Sequence, residues 1–532
     1  MERTAVRDWV WLLACGLISS VWCVTAAREL SATYDEPGYL RLGLERWRSG
    51  DFTGLKRAGV MPLPVDVCTL PLFVAERWTG KPIDASAEIE TWLPWARSAN
   101  LVFWWLLLLY AWRIARSLAG PWAGRLAVAV LAVEPNCLAL AFHYRDGRSA
   151  GWWRRVAVPA VWFAAAVLAK ASAVAFAPLC LLTIECAFVL RHRRPGVQQF
   201  ARSLRHLAAI GIAGFLLASF YCGNCDGPAR QNLVAAAQRI PFDTGKATAL
   251  FLARHVPLYI HAWDAVVFQM RHNMNGHFGV FLFGQWHPDR ALWYYFPAAL
   301  SIKLPLPLLL LPVVLIVLRP RALANRALAA AGVLLLFSLT CRVQIGIRYM
   351  LPLVALGVAG LSAAVVQTWE SLPNGWARRG LALGAVAAVG GMAIAAGGAW
   401  PNGLCYANRL WGGPGRSYLL LSDSNSDWGQ GLKELAAWRD RRHLGLFDVA
   451  YFGTDPRIHR LGFRPAFLPG LSPGAAGGPR YIAVSTTALY GHPHCETPAA
   501  TQLRAMTPIG RTSTFLIFDL APAGAVTVAA PR

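Results

Sequence analysis

The chain has 532 residues, is 56% hydrophobic and 15% charged, and has a mean hydropathy of +0.40, which excludes a soluble protein built on one buried core. Its formal charge of +23 would suit a nucleic-acid binder. The basic residues instead fall in short clusters between apolar segments, such as Arg191-His192-Arg193-Arg194 and Arg319-Pro320-Arg321. Positive-inside bias distributes charge in this way, and no basic stripe interleaved with aromatics lies outside these connectors, so nucleic acid is excluded as a partner.

The first apolar run, Trp9 to Ala27, follows Arg3 and Arg7. It could pass for a signal peptide ending in Thr25-Ala26-Ala27, but its length favours an uncleaved anchor with a cytoplasmic N-terminus. Residues 28–96 then read as a long external loop with ten acidic and eight basic side chains. Further spans are expected at 98–118, 156–170, 172–190, 206–222, 292–318, 328–341, 349–367 and 381–398. Arg-rich connectors at 113–125, 145–155, 191–205, 319–326 and 376–379 read as cytoplasmic, and 223–291 and 342–348 as external. Residues 122–142 are apolar but lie between two cytoplasmic connectors. Either Glu134-Pro135-Asn136 is the tip of a re-entrant hairpin, or an outer loop and one helix are missing there.

Residues 1–399 thus form a membrane domain, and residues 400–532 an external domain of different character. The tail is polar and rich in Gly and Pro, with strand-like runs at 447–452 and 481–485 flanking helical residues 431–442. The expected fold is a mainly α-helical polytopic membrane protein with about 9–11 transmembrane segments and a small external α/β C-terminal domain. Of eleven cysteines, five (Cys15, Cys23, Cys137, Cys180 and Cys186) lie in apolar segments and behave as small hydrophobes. Cys222-Gly223-Asn224-Cys225 is open to a structural role, including a local disulfide, or a redox role, and no zinc spacing is evident.

Four places carry side chains suited to chemistry. Asp35-Glu36 follows the first span, where a partly desolvated carboxylate can act as general base, hold an amine or metal, or simply sit at the interface. Arg348 and Tyr349, in Gly346-Ile347-Arg348-Tyr349, open a later span. There a guanidinium either snorkels or clamps a phosphate with two hydrogen bonds. Lys303 lies near the external start of the 292–318 span and needs water or a partner, which could be the same phosphate. The run from Ser422 to Gln430 holds Asp423, Asn425, Asp427 and Trp428, residue types that contact sugars or acceptors, and an Asn, Ser or Asp of the run is expected to cap the helical stretch 431–442 that follows. His492-Pro493-His494 reads as surface structure.

Taken together, these residues resemble the C-type membrane glycosyltransferases of the protein O-mannosyltransferase and aminoarabinose transferase kind. The resemblance rests on Asp35-Glu36 with Gly43, Trp47 and Gly50-Asp51-Phe52, on Trp293 to Phe296, on Lys303-Leu304-Pro305-Leu306-Pro307, and on Gly346 to Pro352. The run Asp423 to Gln430 resembles a version found in uncharacterised bacterial members.

The resemblance implies transfer of a sugar from a polyprenyl-phosphate donor to an acceptor protein, lipid or glycan outside the cytoplasm of the plasma membrane, with inversion at the anomeric carbon. It implies Asp35 as base or acceptor anchor, Glu36 as its companion, and Arg348, Lys303 and Tyr349 at the donor phosphate. A divalent cation stays open, and no other cofactor is implied. The chain departs from the pattern at Met61-Pro62-Leu63-Pro64, where His-Pro-Pro-Leu is common, and at His143 to Gly147, where a second acidic loop motif is usual. A catalytically degenerate relative and a polytopic lipid or solute transporter are the alternatives. Transporters typically carry repeats and interrupted midplane helices, and this sequence shows no related halves.

Overall fold

The computed structural model describes residues 2–134, 153–191, 197–224, 228–255, 259–277, 279–288, 291–373, 375–445, 447–471 and 480–520. The chain divides into two compact units, one of Met1–Gly38, Asp84–Ala139 and Asn273–Arg532, the other of Tyr39–Ile83 and Leu140–His272.

Each span expected from the sequence is helical, but the spans differ in reach. Among the described residues five helices are long and apolar enough to cross a membrane: Val6–Glu29, Ile89–Ala132, Ala201–Cys222, Leu351–Ser371 and Gly375–Ala399. A sixth is a bent pair, Tyr295–Lys303 and Leu306–Leu318, turned by 105° at Leu304-Pro305. Arg155–Ala169, Ala173–Ala187 and Arg326–Ser338 are apolar but shorter than a full crossing. The first two are separated at Lys170, whose extended backbone ends one helix before the next begins. This is the multi-pass α-helical architecture expected from hydropathy, joined to a small mixed sheet.

In the first unit, the apolar stretch around residue 120 folds as one helical run, Leu101–Ala132, broken at Ala119 and Gly120. Gly120 adopts φ 79°, a left-handed conformation that favours glycine, and Pro121 restarts the helix with a ring that needs no N–H partner. Residues 122–132 therefore continue helically past a kink, while Pro135, Asn136, Cys137 and His143 to Gly147 lie outside the described residues.

Leu351–Ser371 packs on this kinked helix and on Arg326–Ser338, and its buried positions are rich in small residues: Ala355, Ala359, Gly360, Ala363 and Ala364. Small side chains let helices approach closely where lipid supplies no hydrophobic drive between them. Asn325 fixes the neighbouring helix by accepting from Leu328 N (3.1 Å) and donating to Gly360 O (3.1 Å).

The C-terminal part of this unit is a five-stranded sheet with strands β3 (Phe447–Ala450), β4 (Phe463–Pro465), β5 (Tyr481–Ser485), β6 (Gly510–Arg511) and β7 (Phe515–Asp519). Their order is β4-β3-β5-β7-β6, with β3 parallel to both β4 and β5 and the remaining pairs antiparallel. The expected strands at 447–452 and 481–485 and the helix at 431–442 are present as β3, β5 and Leu432–Arg441. A separate hairpin pairs β1 (Val280–Leu282) with β2 (Gln285–His287). Its two-residue turn uses Phe283 (φ 52°) and Gly284 (φ 80°), both positive as such hairpins require.

The second unit has a core of Phe52, Leu55, Val65, Phe163, Val167 and Ile210, and beside Phe52 lies a part-buried ion cluster. Arg46 Nε donates to both carboxylate oxygens of Asp66 (3.0 and 3.1 Å), and Tyr221 donates its hydroxyl to the same carboxylate (2.8 Å). Cys225, the second half of the Cys222–Cys225 pair, lies outside the described residues.

Candidate functional site

The site begins with the segment just after the first long helix. Ser31 N donates to Gln430 O (3.0 Å), Ala32 N to Asp455 Oδ2 (3.1 Å) and Tyr34 N to Trp428 O (2.8 Å). Thr454 Oγ1 closes the strap by donating to Tyr34 O. These bonds lay residues 31–34 along the C-terminal part of the same unit and set Asp35, half-buried, at the head of helix Glu36–Ser49. A carboxylate there gains from the helix dipole as well as from any chemical role.

Glu36 is committed elsewhere. Arg97 grips its carboxylate with two hydrogen bonds, Nε to Oε1 (2.8 Å) and Nη2 to Oε2 (2.7 Å), and also donates to the carbonyls of Ala27, Leu30 and Ser31. Burial alone would raise the Glu36 carboxyl, but Arg97 and the Thr33 N–H outweigh it and hold it below the usual range. Of the two adjacent acids, Glu36 therefore anchors the loop and Asp35 is presented by it.

The second element is the short turn Ile347–Tyr349, seated on the 422–430 run. Ile347 N donates to Asn425 Oδ1 (3.0 Å), Asn425 Nδ2 donates to the Tyr295 hydroxyl (2.9 Å), and Ser424 Oγ donates to Ile345 O. Gly346, at φ 155°, passes so near Ser424 that a Cβ there would lie 2.2 Å from its hydroxyl. The turn delivers Arg348 onto the face of Trp428, with Cζ 4.2 Å from the ring centroid, and 5.6 Å from the Tyr349 ring. Arg348 Nε is buried and, among the described residues, meets no hydrogen-bond acceptor.

Within the 422–430 run, Asp423 and Trp428 keep partial exposure, while Asn425 and Asp427 are fully buried. Asp423 takes a positive φ of 56°, its N–H held by Thr487 Oγ1 (3.0 Å). Burial pushes its carboxyl up to about 6 against the pull of Arg348, and Asp35 adds to the push. Tyr349 lies in the fields of Arg348, Asp423 and Asp35. Asp35, Arg348, Tyr349, Asp423 and Trp428 thus converge in one place.

Two sequence candidates serve the frame. Lys303, 1% exposed, donates to the carbonyls of Leu404 (2.6 Å), Tyr406 (2.5 Å) and Asn425 (2.6 Å). An ammonium has three N–H donors, and here each is spent on main chain, so in this conformation Lys303 secures the segment beneath the site rather than reaching a phosphate. Replacing it by methionine should leave three buried carbonyls without donors and cost on the order of 3 kcal/mol. A fall in thermal unfolding temperature in detergent, with faster proteolysis within residues 404–425, would be the expected result.

Asp427 accepts from Gly429 N (3.1 Å) and Thr487 N (3.0 Å), and its backbone oxygen from Thr487 Oγ1 (2.7 Å). Burial still pushes its carboxyl up to about 6, above its ordinary 3.8. A raised carboxyl binds its proton more tightly folded than unfolded, so its stabilising contribution is full below about pH 4 and lost as pH rises through about 6. The stability of wild type relative to Asp427→Asn should therefore fall by about 3 kcal/mol between pH 4 and pH 7. Paired thermal melts across that range would check it.

The expectation that a Ser, Asp or Asn of the run caps the following helix is corrected. Helix Leu432–Arg441 has Gly431 at its N-cap and no side-chain cap of its own. Its Lys433 N–H is taken by Ser31 Oγ (2.8 Å), from a segment some 400 residues away in sequence, while Asp427 serves the helix Thr486–Tyr490. Arg97, Ser31, Tyr295 and Thr487 were not singled out as site residues from sequence. Arg97 carried a signal, a cation at the head of an apolar span needing an acid partner; Tyr295 lay in the Trp293–Phe296 run on which the resemblance rests, and Ser31 and Thr487 carried none. Among the described residues no group of three His, Cys, Asp or Glu side chains converges to hold a metal ion.

No family model matches the chain, and no curated protein matches it. Among solved structures, the crystal structure of ArnT from Cupriavidus metallidurans bound to undecaprenyl phosphate aligns over 98% of this chain and 99% of its own, with 14% sequence identity and a TM-score of 0.40.

Proposed function

We propose that this chain is a multi-pass glycosyltransferase of the plasma membrane that moves a sugar from a polyprenyl-phosphate donor to an acceptor hydroxyl on the non-cytoplasmic side. The observation that carries the reading is Arg348, stacked 4.2 Å over Trp428 with a buried, unspent Nε, together with the half-buried Asp35, which acts on the same Tyr349 and Asp423. A planar cation fixed against a ring suits an anionic leaving group, because it stabilises developing charge without having to reorganise.

In the reaction we infer, Asp35 takes the proton of the acceptor hydroxyl as its oxygen forms a bond to the anomeric carbon. The bond from that carbon to the phosphate oxygen breaks with its electron pair, and the polyprenyl phosphate leaves with its added charge facing Arg348 and Tyr349. Attack opposite the leaving group inverts the anomeric centre. Asp423 and Trp428 border the sugar, while Glu36, Asn425, Asp427 and Lys303 hold the parts in register.

The test is to incubate the purified chain in lipid with radiolabelled polyprenyl-phosphate sugars and membrane extract. Label moving from one donor into an acceptor fraction, suppressed by added undecaprenyl phosphate, is the expected result. No transfer from any donor would overturn the proposal and favour a degenerate relative or a transporter.

A further inference from the structure

The C-terminal domain carries a row of aromatic rings that the transfer reaction leaves unused. It starts at Tyr34, the residue before Asp35, which stacks on Phe452 with ring centroids 5.2 Å apart and planes at 22°. Phe452 meets His492 at 5.9 Å, His492 meets His494 at 4.3 Å, and His494 meets Phe467 at 5.3 Å. Both ends are open, Tyr34 at 45% and Phe467 at 66% exposure. The strap bonds Tyr34 N to Trp428 O and Thr454 Oγ1 to Tyr34 O make the inner end continuous with the site.

We propose that this row is a platform for a neutral carbohydrate acceptor, along which a saccharide lies with its reacting hydroxyl directed toward Asp35. The proposal rests on the glycosyl-transfer reading for the direction of the chain and adds to it the chemical class of the acceptor.

The chemistry of the row selects that class. A pyranose presents an apolar face of C–H groups with partial positive charge, which complements the negative face of an aromatic ring. Its rim of hydroxyls needs small polar partners, and the imidazoles and the Thr454 hydroxyl beside the rings are of that kind. Burial, with His494 adding to it, pulls His492 down to about 4, so this ring stays neutral at physiological pH. No lysine or arginine belongs to the row, which argues against a phosphorylated headgroup as its occupant. An exposed large aromatic is ordinary when isolated; two exposed rings joined through the part-buried Phe452, His492 and His494, and leading to a proposed base, are not.

The test measures binding without donor. Full-length protein in nanodiscs is titrated with neutral tetrasaccharides of glucose, mannose and galactose, read by saturation-transfer NMR. Wild type is compared with Phe467→Ala and with Phe452→Ala. The expected result is transfer to the C–H protons of at least one saccharide in wild type, with affinity at least ten-fold weaker in Phe467→Ala, whose exposed side chain bears little on folding. In the transfer assay the acceptor KM should rise by a similar factor. Absence of saccharide binding by wild type, or equal affinity in both variants, would overturn the platform. So would binding of a peptide or an anionic vesicle through the same rings. Saccharide binding without any sugar transfer would sink the glycosyltransferase reading and leave the platform standing, so the two fail separately.

Discussion

Asp35→Asn is expected to reduce sugar transfer by about 10²- to 10⁴-fold, the range that removal of a positioned general base typically costs. Asparagine preserves the shape of the side chain and heads a helix as well as aspartate does, so the start of Glu36–Ser49 and the strap of residues 31–34 should survive. An unchanged melting temperature beside a lost rate would assign the defect to proton transfer. The neighbouring Glu36→Gln should behave differently, because it weakens the grip of Arg97 on the loop and so should lower stability together with rate. Retained transfer in Asp35→Asn would exclude Asp35 as the base and shift attention to Asp423, a carboxylate in the field of Arg348.

Arg348→Ala should lower kcat/KM by about 10²- to 10³-fold, the usual cost of removing one preorganised donor to a developing charge. Arg348→Lys should recover little of this. Lysine keeps the charge but loses the plane that stacks on Trp428 and the fork that meets two phosphate oxygens at once. Product inhibition separates this reading from a structural one: undecaprenyl phosphate should inhibit both variants at least ten-fold more weakly than wild type. Equal inhibition of wild type and Arg348→Ala would remove Arg348 from the phosphate site.

Both residues were visible in the sequence for a reason tied to the membrane. An acid just past one span and an arginine at the head of another are costly at an apolar boundary, so their positions drew attention to them, but position left an interfacial acid and a snorkelling arginine equally open, and the roles proposed for them came from the resemblance. Lys303 shows how that reasoning reaches a boundary. The same cost that drew attention to it is offset here by three backbone carbonyls supplied from residues 404–425, more than 100 positions downstream. Hydropathy measures the cost of burying a charge and says nothing of which carbonyls will meet it.

The run Ser422 to Gln430 shows the same division. Its density of Asp, Asn and Ser pointed to contact with sugars or to helix capping, and in the fold the side chains of Asp423, Ser424, Asn425, Ser426 and Asp427 hydrogen-bond within the protein. Which bonds they make depended on partners from elsewhere: Asn425 with the turn that carries Arg348, Asp427 with Thr487, and Ser31 in the capping place that a residue of the run was expected to fill.

What the sequence determined by itself is the class of fold, the helical identity of each expected span, and the α/β character of the tail, including β3 and β5. These follow from local periodicity and from runs of apolar residues, which the chain carries without reference to distant segments. The short strands β4 and β6 carry too few residues for a period to register.

Tertiary structure alone decided that Leu101–Ala132 bends at Gly120 instead of ending there, that Glu36 belongs to Arg97, and that Trp428 is the surface on which Arg348 rests. The last two join residues 61 and 80 positions apart in sequence. Such pairings are set by how helices and sheet pack, where the energy of a charge depends on its neighbours in space and not on its neighbours along the chain.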